Sequence, residues 1–474
     1  MTDNRFRRQF LLTKQASFRN DWQKFVIKDF RLYYHPELEF SRSSTDEKEL
    51  VMLGAMYDWE TPEKTNQQLL DTLVDTCSFE KFLEKLSKYA GHFVILYCLG
   101  EDFFIINDAC AQREIYYDDS FTTFGSQPKL LSNVIEPKPY SLQEAVEFYS
   151  SREFLSKRLF VGETTHIENI KHLLPNHYID LRKKAIMRYF PSKPVDCLTI
   201  KDVAPKAAQM LKGYIKAVAM RKQIAMAVTA GYDSRTLFLA SLDVDCKYFL
   251  WQHKNMNENH YDVAIPQRLA EMYGRSFELI PDTDALEDIS DSVDFQRKIP
   301  KAGKYFENHI YLNGNISEIA RSFYGFNKKI TAEDLAFING YKQFCFVVEQ
   351  YRQWLKNETL FKANNYHVLD MYYWEQRTGI WVAKEKTMMR ALGIETFSPF
   401  CSRSLLVLLL STQKKDRDKY INKLYNSILL ELSPKALKVP INPSFKLNII
   451  RLMSRLKIYS IYQSLGLKYR FLKY

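Results

Sequence analysis

The chain has 474 residues, 46% of them hydrophobic, and a formal net charge of +11. This length is too great for one hydrophobic core and fits two domains of roughly 200 residues each. The seven cysteines are an odd number without a Cys-x-x-Cys pair, which argues against a disulfide scaffold and predicts reduced thiols in the cytosol. The opening residues are charged and lack an apolar segment, so we expect no signal peptide. The longest apolar run, 405–410, is too short for a membrane span and predicts a buried helix.

Upstream of residue 135, the sequence combines short alternating β-like runs with two helix-like stretches, 61–77 and 79–89. This pattern favours an α+β domain of sandwich type. At 191–194 two prolines bracket a polar dipeptide and the hydrophobic periodicity is lost. We therefore place a domain boundary there.

The second half of the chain alternates between the two kinds of hydrophobic period. Strand-like and helix-like runs follow each other at 203–217 (helix), 224–228 (strand), 248–252 (strand), 263–273 (helix) and 276–280 (strand). Such alternation predicts an α/β domain with a parallel, doubly wound sheet. In these sheets ligands bind at the carboxyl ends of the strands.

A turn of small residues, Thr229–Arg235, joins the apolar strand-like run 223–228 to an apolar helix-like run, 236–240. The start of a helix presents unpaired N–H groups and partial positive charge, which stabilise an anion. Ala230 and Gly231 allow the backbone to approach an oxygen-rich ligand closely, and Thr229 and Ser234 add hydroxyl donors. The turn therefore predicts a phosphate-binding loop.

Asp233 does not suit a bare anion site. A carboxylate beside phosphates suits a site where a divalent cation such as Mg²⁺ bridges the two, so the loop indicates a nucleotide with its metal. The sequence lacks both Gly-x-x-x-x-Gly-Lys-Ser/Thr and Gly-x-Gly-x-x-Gly. The alternative is a tight strand-to-helix turn that Asp233 or Ser234 merely caps.

The loop resembles the Ser-Gly-Gly-x-Asp-Ser pyrophosphate loop of the ATP pyrophosphatases, with Thr229 and Ala230 in place of the first Ser and Gly. From roughly residue 60 to residue 440, the chain also resembles asparagine synthetase. Upstream, the segments similar to that family are 91–96, 103–108, 113–117, 124–130 and 165–177. Downstream, 313–321 occupies the place of the family's second acidic motif, 395–400 is similar to its Glu-x-Arg-x-Pro-Phe segment, and 431–434 lies where a Leu-Pro pair is usual.

The resemblance implies three regions: a glutaminase-like domain at 1–192, an ATP-binding domain at 195–440 and a basic tail at 441–474. The first would be an Ntn-hydrolase-type β-sandwich with helices, and the second an adenine nucleotide α-hydrolase-like fold. The Tyr-Asp-Ser-Arg form of the loop is most similar to divergent members found in bacterial surface-polysaccharide gene sets.

The implied activity is that of an AMP-forming carbon–nitrogen ligase. ATP would activate a small-molecule carboxylate as an acyl-adenylate, releasing pyrophosphate, and ammonia or an amine would then displace AMP. The resemblance assigns nucleotide binding to the loop residues Thr229, Ala230, Gly231, Asp233, Ser234 and Arg235. It assigns Mg²⁺ to Asp233 and Glu318, and charge neutralisation at the leaving group to Arg235 or Arg321 and to a lysine for which Lys438 is a candidate. Arg377 is a further candidate for the substrate pocket.

Several positions depart from the family pattern. Ser317 replaces an acidic metal ligand, Phe397 replaces an Arg, and Ser402 stands where an Asp is common. The first cysteine is Cys77, so the N-terminal cysteine nucleophile of glutamine amidotransferases is missing. Thr2 is the alternative nucleophile, but the basic and polar residues 5–9 do not resemble the buried strand that such a site needs. We expect a degenerate glutaminase domain that packs against the synthetase half.

From Lys446 to Tyr474 there are seven basic residues and no acidic one, interleaved with Leu, Ile, Tyr and Phe. This pattern is typical of a terminal helix with a solvated basic face, or of peripheral contact with the inner face of a membrane. We expect no nucleic-acid partner, because no recognised module accompanies the basic charge.

Three functions remain open on the sequence. The first is the ligase described above, without its own glutaminase. The second is a non-catalytic ATP-binding or scaffold protein of a surface-polysaccharide pathway, favoured by Ser317 and the missing cysteine. The third is an adenylating cyclase of the peptide or β-lactam type.

Overall fold

The computed structural model describes residues 6–15, 18, 19, 21–253, 255–281, 286–289, 294, 298–300, 305, 308–326, 328–459 and 461–465. Thr2, the alternative nucleophile, and residue 5 of the basic opening segment lie outside these ranges. The strands are β1 Phe10–Thr13, β2 Gln23–Ile27, β3 Phe30–Tyr34, β4 Phe40–Ser44, β5 Lys48–Tyr57, β6 Ala90–Leu99, β7 Asp102–Asn107, β8 Tyr116–Asp118, β9 Thr123–Gly125, β10 Ile170–His172, β11 His177–Asp180, β12 Ala185–Arg188, β13 Gln223–Ala227, β14 Lys247–Gln252, β15 Phe277–Pro281, β16 Leu286–Asp288, β17 Lys298–Pro300, β18 His309–Leu312 and β19 Glu395–Phe397.

The α-helices are α1 Asn66–Val74, α2 Phe79–Leu86, α3 Pro128–Leu131, α4 Gln143–Ser150, α5 Arg152–Lys157, α6 Ile200–Ala219, α7 Tyr232–Ala240, α8 Tyr261–Met272, α9 Ala332–Ile338, α10 Cys345–Leu355, α11 Glu358–Ala363, α12 Val368–Tyr372, α13 Ala383–Ala391, α14 Arg403–Leu410, α15 Lys423–Leu432 and α16 Phe445–Arg455. A π-helix, Tyr373–Val382, joins α12 to α13, and short 3-10 helices span Ser317–Arg321 and Lys414–Arg417. No described helix is long and apolar enough to cross a membrane.

The first half of the chain forms two antiparallel six-stranded sheets, in the orders β10-β8-β9-β1-β3-β2 and β12-β11-β7-β6-β5-β4. Side chains of a strand alternate between its two faces. In β1, Phe10 and Leu12 accordingly belong to the core between the sheets, whereas Leu11 belongs to the large core that continues into the second half. Helices α1 and α2 cover the outer face of the second sheet. The α+β sandwich expected from the sequence is therefore confirmed as a mixed architecture of antiparallel sheets and helices.

Local signals set the helix ends here. Thr65 and Gln68 form a capping box that starts α1, so the helix is shorter than the predicted stretch 61–77. Ser78 caps α2 by accepting the N–H of Lys81. Residues 6–9 are not a strand, as expected, yet Gln9 is buried and the buried strand β1 follows it directly.

The second half is built on a five-stranded sheet in the order β15-β14-β13-β18-β19, and all four pairings are parallel. The expected parallel sheet is thus present. The predicted strands at 224–228, 248–252 and 276–280 are β13, β14 and β15, and the predicted helices at 203–217 and 263–273 are α6 and α8. The predicted buried helix at 405–410 is α14.

Candidate functional site

The strand order of the parallel sheet distinguishes two interior strands, β13 and β18. From β13 the chain adds β14 and then β15 on one side, and later adds β18 on the other side of β13. β13 and β18 are therefore neighbours at a topological switch point, where the loops after the two strands diverge and leave a crevice. The loop after β13 is Thr229 to Gly231, and the loop after β18 is Asn313 to Ile316.

The loop after β13 holds its shape by local hydrogen bonds. The hydroxyls of Thr229 and Ser234 lie 2.9 Å apart, and the Thr229 N–H donates to the Ser234 hydroxyl oxygen at 3.0 Å. Gly231 is the N-cap residue of α7 and has no side chain, so the N-cap satisfies none of the first N–H groups of this helix. The N–H of Ala230 is already occupied, because it donates to Asp262 Oδ1 at 3.0 Å.

The two loops touch at Gly314 and Asp233. A Cβ atom at Gly314 would lie 2.5 Å from Asp233 Cβ and 2.9 Å from its carbonyl carbon, so only glycine permits this approach. Two residues on, the buried Ile316 has a φ of +85°, which is unusual for a β-branched residue. Backbone strain of this kind is retained where the surroundings enforce it, and it concentrates at functional sites.

Two carboxylates and one guanidinium meet in the crevice. Arg321, at the end of the 3-10 helix, forms an ion pair with Asp233. Its guanidinium also lies 5.6 Å from the ring centroid of Tyr232 and 5.9 Å from that of Tyr425. Although burial disfavours the charge on Arg321, the nearby carboxylates of Asp233 and Glu318 outweigh it and raise the arginine pKa.

Glu318 is a partly buried carboxyl beside Asp233. Burial and the neighbouring charge of Asp233 raise its pKa to about 7, while Arg321 opposes the shift. Two carboxylates whose charges repel are the arrangement that a cation relieves. Among the described residues there is no cluster of three or more His, Cys, Asp and Glu that could hold a metal alone. Two carboxylates suit Mg²⁺, which takes its other ligands from phosphates and water.

Several polar atoms around the crevice lack a hydrogen-bond partner among the described residues. They are both amide atoms of Asn313, the hydroxyl of Ser317 and Nε of Arg321. All three residues are nine-tenths or more buried. Buried polar groups normally have partners, so an unpaired group at a crevice points to a ligand.

Arg235 does not face the crevice. Its guanidinium donates to the carbonyl oxygens of Val439 at 2.6 Å and Pro440 at 2.7 Å, and more weakly to that of Ala436. Arg235 is fully buried in this position. This geometry does not support the nucleotide contact expected from the sequence, because Nη1 and Nη2 of Arg235 donate to a distant part of the chain.

Residues 436–443, called the strap below, lie over the loop that follows β13. The N–H of Asn442 donates to the Ala230 carbonyl oxygen at 3.1 Å. A cavity of about 280 Å³ separates Tyr232 from the strap and from Asn448 and Arg451 of α16. Lys438 lies in the strap with an exposed side chain.

The structure brings Lys419 to the site, which the sequence did not indicate. Its Nζ lies 3.7 Å from the ring centroid of Phe323. Burial and the nearby Arg321 lower the pKa of Lys419 to about 8, while Glu318 opposes the shift. In the sequence, Lys419 ends the charged run 414–419, which is typical of a solvated loop, and no local signal separates it from its neighbours.

A second polar cluster surrounds Arg377, on the π-helix. The charge of its guanidinium influences the pKa of five tyrosines, namely Tyr324, Tyr341, Tyr351, Tyr372 and Tyr373. The hydroxyl of Tyr324 and Nε of Arg377 have no hydrogen-bond partner among the described residues, and Nη1 makes a long bond of 3.4 Å to Asn339. π-helices of this kind are frequent at functional sites. The Arg377 cluster adjoins the crevice, since Tyr373 is also influenced by Glu318 and Arg321.

Two of the positions that differ from the asparagine synthetase pattern, Phe397 and Ser402, have structural roles. Phe397 is buried with its ring centroid 5.0 Å from that of Tyr57. Ser402 caps α14 by accepting the N–H of Leu405 at 3.3 Å. Glu395 lies at the junction of the two halves and not in the crevice, within 3.5 Å of His92, Arg113 and Arg390.

No family model and no curated protein matches the chain. Among the solved structures that do match, one described as the allosteric regulatory enzyme of purine biosynthesis aligns at 8% identity over 65% of this chain and 68% of its own, with a TM-score of 0.25. Glutamine phosphoribosylpyrophosphate amidotransferase from B. subtilis, complexed with ADP and GMP, aligns at 9% identity over 67% of this chain and 72% of its own, with a TM-score of 0.24. Similarity this low supports no statement about activity.

Proposed function

We propose that the protein binds ATP with Mg²⁺ in the crevice between β13 and β18 and uses it to activate a carboxylate for amide formation with ammonia or an amine. The observation that carries this proposal is that Asp233, in the loop Thr229–Ser234, lies near Glu318 at the switch point. Helix-start N–H groups suit phosphate oxygens, and the paired carboxylates suit the metal.

The proposal includes the finer fold assignment expected from the sequence. The strand order of the parallel sheet, with its switch point beside the first strand, supports an adenine nucleotide α-hydrolase-like domain. The two packed antiparallel sheets with α1 and α2 outside support a glutaminase-type first domain. We place the boundary between them near 191–194, as the sequence suggests.

Each residue of the crevice has a role in this proposal. The N–H groups at the start of α7 and the hydroxyls of Thr229 and Ser234 bind the pyrophosphate portion of ATP. Asp233 and Glu318 hold Mg²⁺, which neutralises phosphate charge when bound. Arg321 and Lys419 stabilise the negative charge on the departing pyrophosphate, because both lie beside the carboxylate pair.

The Arg377 cluster supports a carboxylate as the second substrate. A guanidinium forms strong bidentate hydrogen bonds with a carboxylate, and the tyrosine hydroxyls around it add donors. We propose that Arg377 and Tyr324 bind an acidic group of the substrate while the reacting carboxylate faces the crevice. Tyr373 lies near both positions, because Glu318 and Arg377 both influence its pKa.

One observation favours a second candidate, a nucleotide-binding protein without turnover. Asp233 is already neutralised by Arg321, and Ser317 supplies no charge at the position of an acidic ligand. Mg²⁺ would have to compete with an existing ion pair for Asp233. For this second candidate, the scaffold role in a surface-polysaccharide pathway that the sequence leaves open would require ATP binding without turnover.

The experiment is substrate-stimulated release of pyrophosphate from ATP, measured across a panel of carboxylates with ammonium as nitrogen donor. We expect release that requires Mg²⁺ and is lost in Asp233→Asn. Asp243→Asn is the matched control, because Asp243 lies on the surface in an exposed pair with Lys212. Binding of ATP without release by any carboxylate would favour the second candidate, and no binding at all would overturn both.

A further inference from the structure

The C-terminal helix α16 carries an apolar stripe that faces solvent. Phe445, Ile449, Leu452 and Leu456 have exposed fractions of 83%, 46%, 57% and 59%. Their spacing of four, three and four residues puts them on one face of a helix. No residue of α16 is buried, so the described chain leaves this face largely open to solvent.

A second stripe follows after a bend. The backbone bends at Lys457, whose φ is +59°. Beyond it, Ile458, Ile461, Tyr462 and Leu465 are 48%, 58%, 62% and 60% exposed, and 461–465 is again helical. A scattered exposed apolar residue needs no explanation, but eight within a stretch of 21 residues form a patch that marks an interaction surface. Residues 445–465 are called the docking segment below.

The charge around these stripes has one sign. Glu431 is the last acidic residue of the chain, and the residues that follow it include nine lysines and arginines. Those in the docking segment are Lys446, Arg451, Arg455 and Lys457. An amphipathic helix with apolar residues on one face and cations beside them is the pattern of a helix in the interface of an anionic bilayer.

The other face of the docking segment is fastened to the protein. Arg451 donates to the carbonyl oxygen of Ile441 in the strap at 2.6 Å. The hydroxyls of Tyr459 and Tyr420 lie 3.1 Å apart, and their rings meet edge to face at 5.0 Å. These contacts hold the segment with its apolar stripes outward, so its exposure does not arise from a detached tail.

We propose that the docking segment binds the surface of an anionic lipid bilayer, with the two apolar stripes inserted at the headgroup boundary. A second copy of the chain is a poorer occupant, because pairing the stripes of two copies would bring eight cations together without a carboxylate from either segment. An anionic surface satisfies the apolar stripes and the cations at once.

Docking would also place the phosphate loop near the bilayer. Arg451 binds the strap, and Asn442 of the strap donates to the carbonyl oxygen of Ala230 in the loop. A chain of two hydrogen-bonded contacts therefore joins the docking segment to the crevice. This consequence rests on the proposed function, whereas the docking itself does not.

The test is flotation of the full-length chain with vesicles on a density gradient. We expect flotation with vesicles that contain phosphatidylserine and none with phosphatidylcholine alone. Leu452→Glu combined with Leu456→Glu should abolish it. The matched control is Leu142→Glu with Val146→Glu, which changes two exposed apolar residues, 50% and 41% accessible, four apart near α4.

A charge series sharpens the test. Lys446→Gln and Arg455→Gln should each weaken partition onto anionic vesicles about fivefold, since each cation near such a surface contributes about 1 kcal/mol. Light scattering of the same samples reports the oligomeric state. Equal flotation of the wild type and the Leu452/Leu456 variant, or a wild-type dimer that the variant converts to a monomer without any flotation, would overturn the proposal. Thermal unfolding of each variant verifies that it is folded. ATP binding is measured separately, so that a failure of vesicle binding and a failure of the proposed ATP binding can be told apart.

Discussion

Two buried charge clusters of this protein resemble each other in composition but differ in how fully they are paired. At the junction of the two halves, Glu395 lies near Arg113, Arg390 and His92. In the crevice, Asp233 and Glu318 share Arg321. The junction has an excess of cations around one carboxylate, whereas the crevice sets two carboxylates against Arg321 and against Lys419, whose pKa burial lowers to about 8.

The pKa shifts of the two glutamates follow from this difference. The cations around Glu395 overcome the effect of burial and hold its pKa well below the ordinary range. In the crevice, burial and Asp233 raise the pKa of Glu318 to about 7. A glutamate surrounded by donors stabilises the fold, while a glutamate beside another carboxylate is available to a cation. The difference separates a structural ion-pair network from a candidate binding site.

The largest expected effect comes from removing the carboxylate of the junction. Glu395→Gln leaves Arg113 and Arg390 buried without their counter-charge, and breaking a buried pair in this way costs about 3–5 kcal/mol. We expect that loss in the free energy of unfolding, measured by urea denaturation. Glu318→Gln is the comparison and should leave stability unchanged or higher, because it removes a repelling charge. Equal losses in the two variants would contradict the distinction between the clusters.

Arg377→Gln should affect the carboxylate substrate without affecting ATP. Losing hydrogen bonds from a charged group costs about 1.5–3 kcal/mol, so KM for the carboxylate should rise about ten- to a hundredfold while KM for ATP stays unchanged. The measurement is pyrophosphate release with each substrate varied in turn. A rise in KM for ATP of the same size would show that Arg377 acts on the fold or on the nucleotide.

Substitutions at two glycines distinguish an effect on packing from an effect on ATP binding. Gly314→Ala should destabilise the protein by about 1–3 kcal/mol, since the added methyl group would overlap Asp233. Gly231→Ala should leave stability unchanged, because the nearest atom lies 3.4 Å away and the φ of −76° suits alanine. It should nevertheless weaken ATP binding, as the methyl group occupies space that a phosphate oxygen needs. Thermal unfolding and ATP titration of both variants test this, and undiminished ATP affinity in Gly231→Ala would mean that phosphate lies elsewhere.

The smallest expected effect is a pH dependence. A carboxyl whose folded pKa lies above its unfolded value near 4.5 stabilises the fold at low pH, and this contribution is lost as the pH rises from about 4.5 to about 7. The same proton competes with Mg²⁺, so affinity for Mg–ATP should increase as the pH rises through about 7. Isothermal titration at several pH values measures it. The dependence should disappear in Glu318→Gln, and a dependence that persists there would exclude Glu318 as its source.

The sequence predicted those parts of the structure that local patterns control. The strands β13, β14 and β15, the helices α6 and α8 and the turn at Thr229–Ser234 were all anticipated from periodicity and turn composition. Asp233 and Glu318 were named as partners although they lie 85 residues apart, through resemblance to a family.

Long-range packing explains what the sequence did not reveal. Arg235 follows the loop directly, yet its guanidinium donates to a carbonyl oxygen of the strap, about 200 residues later in the chain. Lys419 and the tyrosines around Arg377 come from separate helices and loops whose contacts no local pattern encodes. The contact between Gly314 and Asp233 likewise exists only because β13 and β18 are neighbours in the sheet.

The central claim is that ATP with Mg²⁺ binds where Asp233 and Glu318 meet. Titration with an ATP analogue whose α–β bridging oxygen is replaced by methylene measures this binding alone, because the analogue cannot be cleaved there. The account predicts one site that requires Mg²⁺, is lost in Asp233→Asn and is retained in Asp243→Asn. Mg²⁺-independent binding, or binding of equal affinity in Asp233→Asn and the wild type, would contradict it.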